Sequence, residues 1–215
     1  MRRFLPSRHF ACREHEMRRQ MYENASTRPC VPSRFPIVDD EYMEYVDVLL
    51  SVVEHDPSRP YVIIEAGAGY GTWTVRSIMA LRQLHGAQAK YVAVAVEPGT
   101  VHMLHEHCVA NGVNCTIVNA YIPRDSSAMG GIRDDGLWAN RDPHTVPPRR
   151  EDEIQLSKLF ESIEPEVIDY LDLDIQRAEL EALTEPGLLE VLNRRLQRVH
   201  IETHGTSLAR SSQSL

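Results

Sequence analysis

The sequence has little with which to hold a nucleic-acid backbone. Its 23 Lys and Arg residues are outweighed by 31 Asp and Glu, for a formal net charge of −8. Proteins that bind nucleic acid generally need a basic face against the phosphates, so no nucleic-acid partner is expected. No apolar run approaches the ~20 residues of a membrane span, and no spanning helix is expected. Four cysteines occur, Cys12, Cys30, Cys108 and Cys115. None form C-x-x-C, and no Cys/His cluster has zinc spacing. Reduced thiols in a cytoplasmic protein follow. The absence of G-x-x-x-x-G-K-[ST] excludes a P-loop. The Arg-rich opening, MRRFLPSRHFACREHEMRRQ, lacks the apolar core of a secretory signal. Glu14 and Glu16 speak against an organelle-targeting segment, which is poor in acids.

What is present is the composition of a globular domain: 215 residues, 42% hydrophobic and 25% charged, enough to bury a substantial core. Residues 1–36 are polar, basic and dotted with Pro6, Pro29, Pro32 and Pro36, which reads as an irregular N-terminal arm. Asp39-Asp40-Glu41 opens a helix, with Asp39 as its cap. Tyr42, Tyr45, Val46, Leu49, Leu50 and Val53 give that helix an apolar face. Asp56-Pro57 ends it. Tyr61-Val-Ile-Ile64 and Tyr91-Val-Ala-Val-Ala-Val96 are buried strands, each followed by a helix, about Thr72 to Leu84 and about Val101 to Ala110. Asn111-Gly112 closes the second. Cys115-Thr-Ile-Val118 is a third strand. Residues 121–150 form a long loop without periodicity, and loops of that length are usually functional or disordered. Glu151 to Ile163 is amphipathic. Val167 to Leu173 is a fourth strand. The helix after it breaks near Pro186-Gly187 and resumes through Leu196. Val199-His-Ile201 is a fifth strand, and residues 206–215 form a disordered tail. There are no internal repeats.

Strands alternating with helices imply a parallel sheet with helices on both faces, and such sheets bind ligands beyond the carboxyl ends of their strands. The residues to weigh therefore follow each strand: Glu65 to Gly71, Glu97, Asn119, Asp174, and Glu202 to His204. The most unusual is Val62-Ile-Ile-Glu-Ala-Gly-Ala-Gly-Tyr-Gly-Thr-Trp73, with Gly67, Gly69 and Gly71 in five residues. Glycine lets a backbone approach a ligand closely, and a helix N-terminus offers N–H donors. A dinucleotide site wants G-x-G-x-x-G, with pyrophosphate on the turn. Here Thr72 stands where the last glycine of that fingerprint belongs, and Glu65 would repel pyrophosphate. That acid suits a ligand with a cationic end.

E-x-G-x-G-x-G after the first strand resembles motif I of class I S-adenosylmethionine-dependent methyltransferases. Val167-Ile-Asp-Tyr-Leu-Asp-Leu-Asp-Ile-Gln-Arg-Ala-Glu179 resembles the D-hydrophobic-x-x-D-[IV]-[EQ]-G-A-E segment of FkbM-type methyltransferases. Val199-His-Ile-Glu-Thr-His-Gly205 resembles their h-I-x-T-H strand end. Phe35-Pro-Ile-Val-Asp-Asp-Glu-Tyr42 is similar to the lead-in of some members. The resemblance spans about residues 35–205. It implies a Rossmann-like, doubly wound, mostly parallel sheet over 37–205, and an enzyme that O-methylates a hydroxyl on a sugar, glycan or secondary metabolite. It also implies that S-adenosyl-L-methionine is held by Glu65, Gly67, Gly69, Gly71, Glu97, Pro98, Asn119 and Ala120, with Glu97 on the ribose hydroxyls. Asp174 is the first candidate for general base or acceptor-orienting residue, and His204 the second. Each has a plainer reading as well, Asp174 as a helix cap and His204 as a satisfied, partly buried imidazole. Glu179 braces the loop. Gln176 and Trp138 are candidates for the acceptor site. Asp174, Glu202 and His204 have donor types that suit a divalent metal, but no ligand spacing lies within one element, and no metal is assigned.

Two features depart from the family pattern. Arg177 stands where the family has glycine. Nothing in Thr206 to Leu215 supplies the two further strands of a seven-stranded sheet. Either the sheet is short, or its open edge is covered by the N-terminal arm or by a second subunit in a homodimer. These departures keep two other readings in view, a cofactor-binding relative without efficient transfer and an NAD(P)-binding oxidoreductase.

Overall fold

A computed structural model describes residues 41–123, 153–175 and 178–202 of the chain. The chain divides between Tyr42 and Met43, and the second unit runs from Met43 to Leu215. The arm over 1–36, the tail over 206–215 and nearly all of the 121–150 loop lie outside the described residues.

Five strands form one sheet: β1 (Tyr61–Ala66), β2 (Tyr91–Val96), β3 (Thr116–Val118), β4 (Tyr170–Leu173) and β5 (Val199–Ile201). Their spatial order is β3-β2-β1-β4-β5, and every pairing is parallel. The sheet is thus wholly parallel among the described residues, where the sequence led us to expect a mostly parallel one. Chain order reverses between β1 and β4, and parallel sheets of this kind bind ligands at such a switch point, beyond the carboxyl ends of the strands.

The helices are α1 (Tyr42–Val53), α2 (Thr72–His85), α3 (Val101–Ala110), α4 (Leu156–Glu161), α5 (Glu179–Leu183) and α6 (Leu188–Arg195). Strand residues alternate between two cores. Tyr61, Ile63, Ala93, Ala95 and Tyr170 face Val48 and Val52 of α1, Ile78 and Leu81 of α2, and Leu104 of α3. Val62, Ile64, Val94, Val96, Leu171 and Leu173 face Leu159 and Phe160 of α4 and Leu188 and Leu192 of α6. All six residues of β1 are buried, as the central strand of a two-faced sheet requires. Each Val, Leu or Ile so buried stabilises the fold by about 1.5–3 kcal/mol.

Two polar clamps lock the amino-terminal side of the sheet. Asp169, just before β4, is buried. Its carboxylate accepts two bonds from the Arg59 guanidinium at 2.7 Å, one from the Val62 amide at 2.8 Å, and lies 3.0 Å from His55 Nδ1. Arg195, at the end of α6, donates to the carbonyls of Phe160, Ile163, Pro165 and Glu166. It thereby satisfies carbonyls that the end of α4 and the loop after it leave over.

Some element boundaries differ from the sequence reading. Of the amphipathic stretch Glu151–Ile163, the helix takes Leu156–Glu161. Glu153 instead bridges to Tyr121, and Gln155 has an extended backbone. The fourth strand starts at Tyr170 rather than Val167, because Ile168 makes only an isolated bridge to Leu196. The third strand starts at Thr116 rather than Cys115. No helix among the described residues is long and apolar enough to cross a membrane.

Candidate functional site

The three glycines of the turn do different work. All have positive φ: +83° at Gly67, +53° at Gly69 and +78° at Gly71. A Cβ on Gly67 would lie 1.7 Å from the carbonyl oxygen of Asp174, and one on Gly71 would lie 2.3 Å from Leu104 Cδ1. Packing against the backbone at the end of β4 requires glycine at Gly67, whereas at Gly71 the neighbour is the tip of a leucine side chain on α3 and the positive φ is the firmer demand. A Cβ on Gly69 meets nothing within 4 Å. Gly69 is the one glycine of the three with open space beside it. The amides of Gly67 and Ala68 both donate to Val96 O, at 2.9 and 3.0 Å, so the turn is pinned to the end of β2.

Glu65, the fifth residue of β1, is 2% exposed. Its oxygens accept the amides of Trp73 at 3.1 Å and Thr74 at 2.7 Å, in the first turn of α2. Gly71, at the helix N-cap, has no side chain with which to cap, and the strand residue caps the helix in its place. Two of the first-turn amides of α2 are therefore satisfied from within. Burial pushes the Glu65 carboxyl up to about 7, against the pull of those amides.

Glu97 follows β2 directly and is 6% exposed. One oxygen accepts the Gly69 amide at 2.7 Å. The other accepts the amides of Gly99 at 2.8 Å and Thr100 at 3.2 Å. Thr100 returns a hydroxyl bond to the Gly69 carbonyl. Glu97 thus ties the middle glycine to the start of α3. Burial raises its carboxyl above the usual carboxylate range, and the amide bonds pull it back. Pro98 is half-buried, Asn119 exposed and Ala120 buried, all at the same ends of β2 and β3.

On the far side of the switch point, the Asp174 amide donates to Ala66 O at 3.0 Å, and Asp174 is half-buried. Glu179 is fully buried and accepts the Ile175 amide at 3.1 Å, which braces the loop between β4 and α5. Trp138, Gln176, Arg177 and His204 lie outside the described residues.

Sequence reasoning passed over Asp172. It is 1% exposed, in register with Glu65 on one side and His200 on the other. Burial, with the nearby carboxylates of Glu65, Glu44 and Asp174, pushes its carboxyl well above the usual range. The signal was available, since Asp172 sits two residues before Asp174 in a strand, where only period-two alternation reveals its face. Acids therefore stand at or near the ends of four strands: Glu65, Glu97, Asp172 with Asp174, and Glu202.

No protein-family model matches this chain, and no curated protein matches it significantly. The described residues define a class, a parallel α/β domain with a glycine turn and acidic strand ends at its switch point. The particular activity is a matter for inference from the site.

Proposed function

We propose that this chain is an S-adenosylmethionine-dependent methyltransferase of the class I, Rossmann-like type, acting on a hydroxyl of a sugar, glycan or secondary metabolite. One observation carries the reading. The helix N-terminus that a dinucleotide's pyrophosphate needs is filled by the protein's own Glu65 carboxylate, while the strand ends around the turn are acidic. An acidic cradle favours a ligand whose charged groups are an ammonium and a sulfonium. It disfavours NAD(P), whose pyrophosphate would meet Glu65 at the helix end. The resemblance of the 65–71, 167–179 and 199–205 segments to FkbM-type enzymes supports the same reading.

In it, Gly69 gives the cofactor room at the turn. Glu97 has about four lone-pair sites on its carboxylate and uses three for backbone amides. One position on the oxygen facing Gly69 is left for a ribose hydroxyl. Accepting both hydroxyls requires the carboxylate to give up an amide. Pro98, Asn119 and Ala120 flank the adenine. The cofactor, when bound, supplies a methyl group on a positively charged sulfur. It would pass that methyl in line to the acceptor oxygen, with the electron pair of the broken carbon–sulfur bond kept by sulfur in the thioether product.

The acceptor's proton passes to a carboxylate, and Asp174 at the end of β4 is the assigned base. Most of the rate comes from holding the two reactants in line. Trp138, Gln176 and His204 are the further candidates for acceptor contact and proton handling.

The test is calorimetric binding of S-adenosylhomocysteine to wild type and Glu97→Ala. Micromolar binding that weakens by about tenfold or more, or about 1.4 kcal/mol, supports the ribose assignment. Equal affinity in both proteins removes it. A methyl-transfer assay over hydroxylated acceptors, with Asp174→Asn beside wild type, then separates a working enzyme from a protein that only holds the cofactor.

A further inference from the structure

A second constellation lies on the β5 side of the switch point, away from the glycine turn. Glu44 of α1, His200 of β5 and Glu202, just after β5, each offer one donor atom, and the three atoms lie within 4.8 Å of one another. His200 Nε2 is 3.9 Å from a Glu44 oxygen and 3.8 Å from a Glu202 oxygen. Neither separation is a hydrogen bond, which for such a pair closes to about 2.7–3.2 Å. Both suit ligands that share an ion, since donor atoms each about 2.1 Å from one metal stand about 3–4.2 Å apart.

The imidazole is turned into the cluster by an outside group. His200 Nδ1 lies 3.1 Å from an oxygen of Asp47, one turn along α1 from Glu44. Asp47's other oxygen is held by Arg198 at 3.1 Å, and Arg198 also reaches Glu54 at 2.8 Å. Asp47 is thus fixed between a guanidinium and Nδ1–H. That leaves the other ring nitrogen, Nε2, facing the two glutamates. A carboxylate on the far nitrogen is the usual device for setting the tautomer of a metal-ligating histidine. Chain topology supports the placement. His200 is in register with Asp172, and the Glu202 amide donates to Leu173 O at 3.1 Å. The cluster therefore stands at the carboxyl end of the sheet, one strand from Asp174.

We propose that Glu44, His200 and Glu202 form a binding site for one divalent transition-metal ion. Two carboxylate oxygens and one imidazole nitrogen suit Mn2+, Fe2+, Co2+ or Zn2+. Mg2+ and Ca2+ prefer oxygen alone and hold most of their water or many carboxylates. Three protein ligands leave open positions for water or for an oxygen of a bound acceptor. The site is independent of the methyl-transfer reading, because it uses none of the residues assigned to the cofactor.

The experiment uses the full chain, stripped with chelator and dialysed, and titrated with Mn2+ by calorimetry while free Mn2+ is read by electron paramagnetic resonance. One Mn2+ per chain at micromolar affinity, with Mg2+ weaker, is the expected result. Glu202→Gln and His200→Gln should each weaken Mn2+ binding by about tenfold or more, with circular dichroism unchanged. Glu202 is partly exposed, so its substitution leaves the fold intact. Glu161→Gln, in the exposed Lys158–Glu161 pair outside this network, should bind as wild type does. Absence of Mn2+ binding, or the same affinity in wild type, Glu202→Gln and His200→Gln, overturns the proposal.

Discussion

The first glycine of the turn rests against the backbone of Asp174, with room for hydrogen and nothing larger: a Cβ on Gly67 would come 1.7 Å from the Asp174 carbonyl oxygen. This contact joins the two halves of the sheet at its switch point. It is reinforced by the Asp174 amide bonding to Ala66 O at 3.0 Å. The candidate base thus takes its position from the glycine turn.

Gly67→Ala and Gly69→Ala should therefore separate. In Gly67→Ala, β4 must move away from the turn, and positive φ adds strain. Stability should fall by about 3 kcal/mol or more. In Gly69→Ala only the φ of +53° is unfavourable, for about 1 kcal/mol. Urea melts of the two variants check the order. On the proposed function, folded Gly69→Ala loses cofactor affinity, because the methyl occupies the open space.

Glu65 should make stability depend on pH in an unusual direction. Its folded pKa of about 7 lies above the ordinary value of 4.5. The folded state therefore holds a proton more tightly than the unfolded state. That contribution is fully present below pH 4.5 and is lost as pH rises through 7. Over that window the advantage of wild type over Glu65→Gln should shrink by about 3 kcal/mol. Denaturant melts of both proteins at either end of the window measure it. A constant difference contradicts the burial account of Glu65.

Asp169 and Arg195 predict two structural losses far from the site. Asp169→Asn leaves Arg59 and His55 without their shared carboxylate and should cost about 3–5 kcal/mol. Arg195→Lys cannot reach the four carbonyls that the guanidinium serves and should cost about 2–4 kcal/mol. Thermal melts read both. If cofactor affinity also fell in correctly folded Arg195→Lys, the separation of clamp from site would be wrong.

Much of this was legible in the sequence. The apolar runs at 61–64 and 91–96 are short and rich in β-branched residues, and both are strands. Pro186-Gly187 marked the break between α5 and α6. Glu179 was read as a loop brace, and it accepts the Ile175 amide. What was not legible depends on distance in the chain. Nothing in 65–74 says that a strand glutamate will cap the next helix rather than face a ligand. That follows from the tightness of the turn. The meeting of Glu44 and Asp47 with His200 joins residues about 150 apart and depends on α1 packing beside β5. A lone histidine in a three-residue strand gives no hint of it. The extent of helix within an amphipathic stretch was not legible where a bridge intervened, as with Glu153 and Tyr121.

The most direct test of the central claim is a pair of calorimetric titrations of the purified full chain, one with S-adenosylhomocysteine and one with NAD. The account predicts micromolar binding of S-adenosylhomocysteine and none of NAD, because Glu65 already fills the helix end that a pyrophosphate would need. Binding of NAD, or binding of neither by a folded protein, would contradict it.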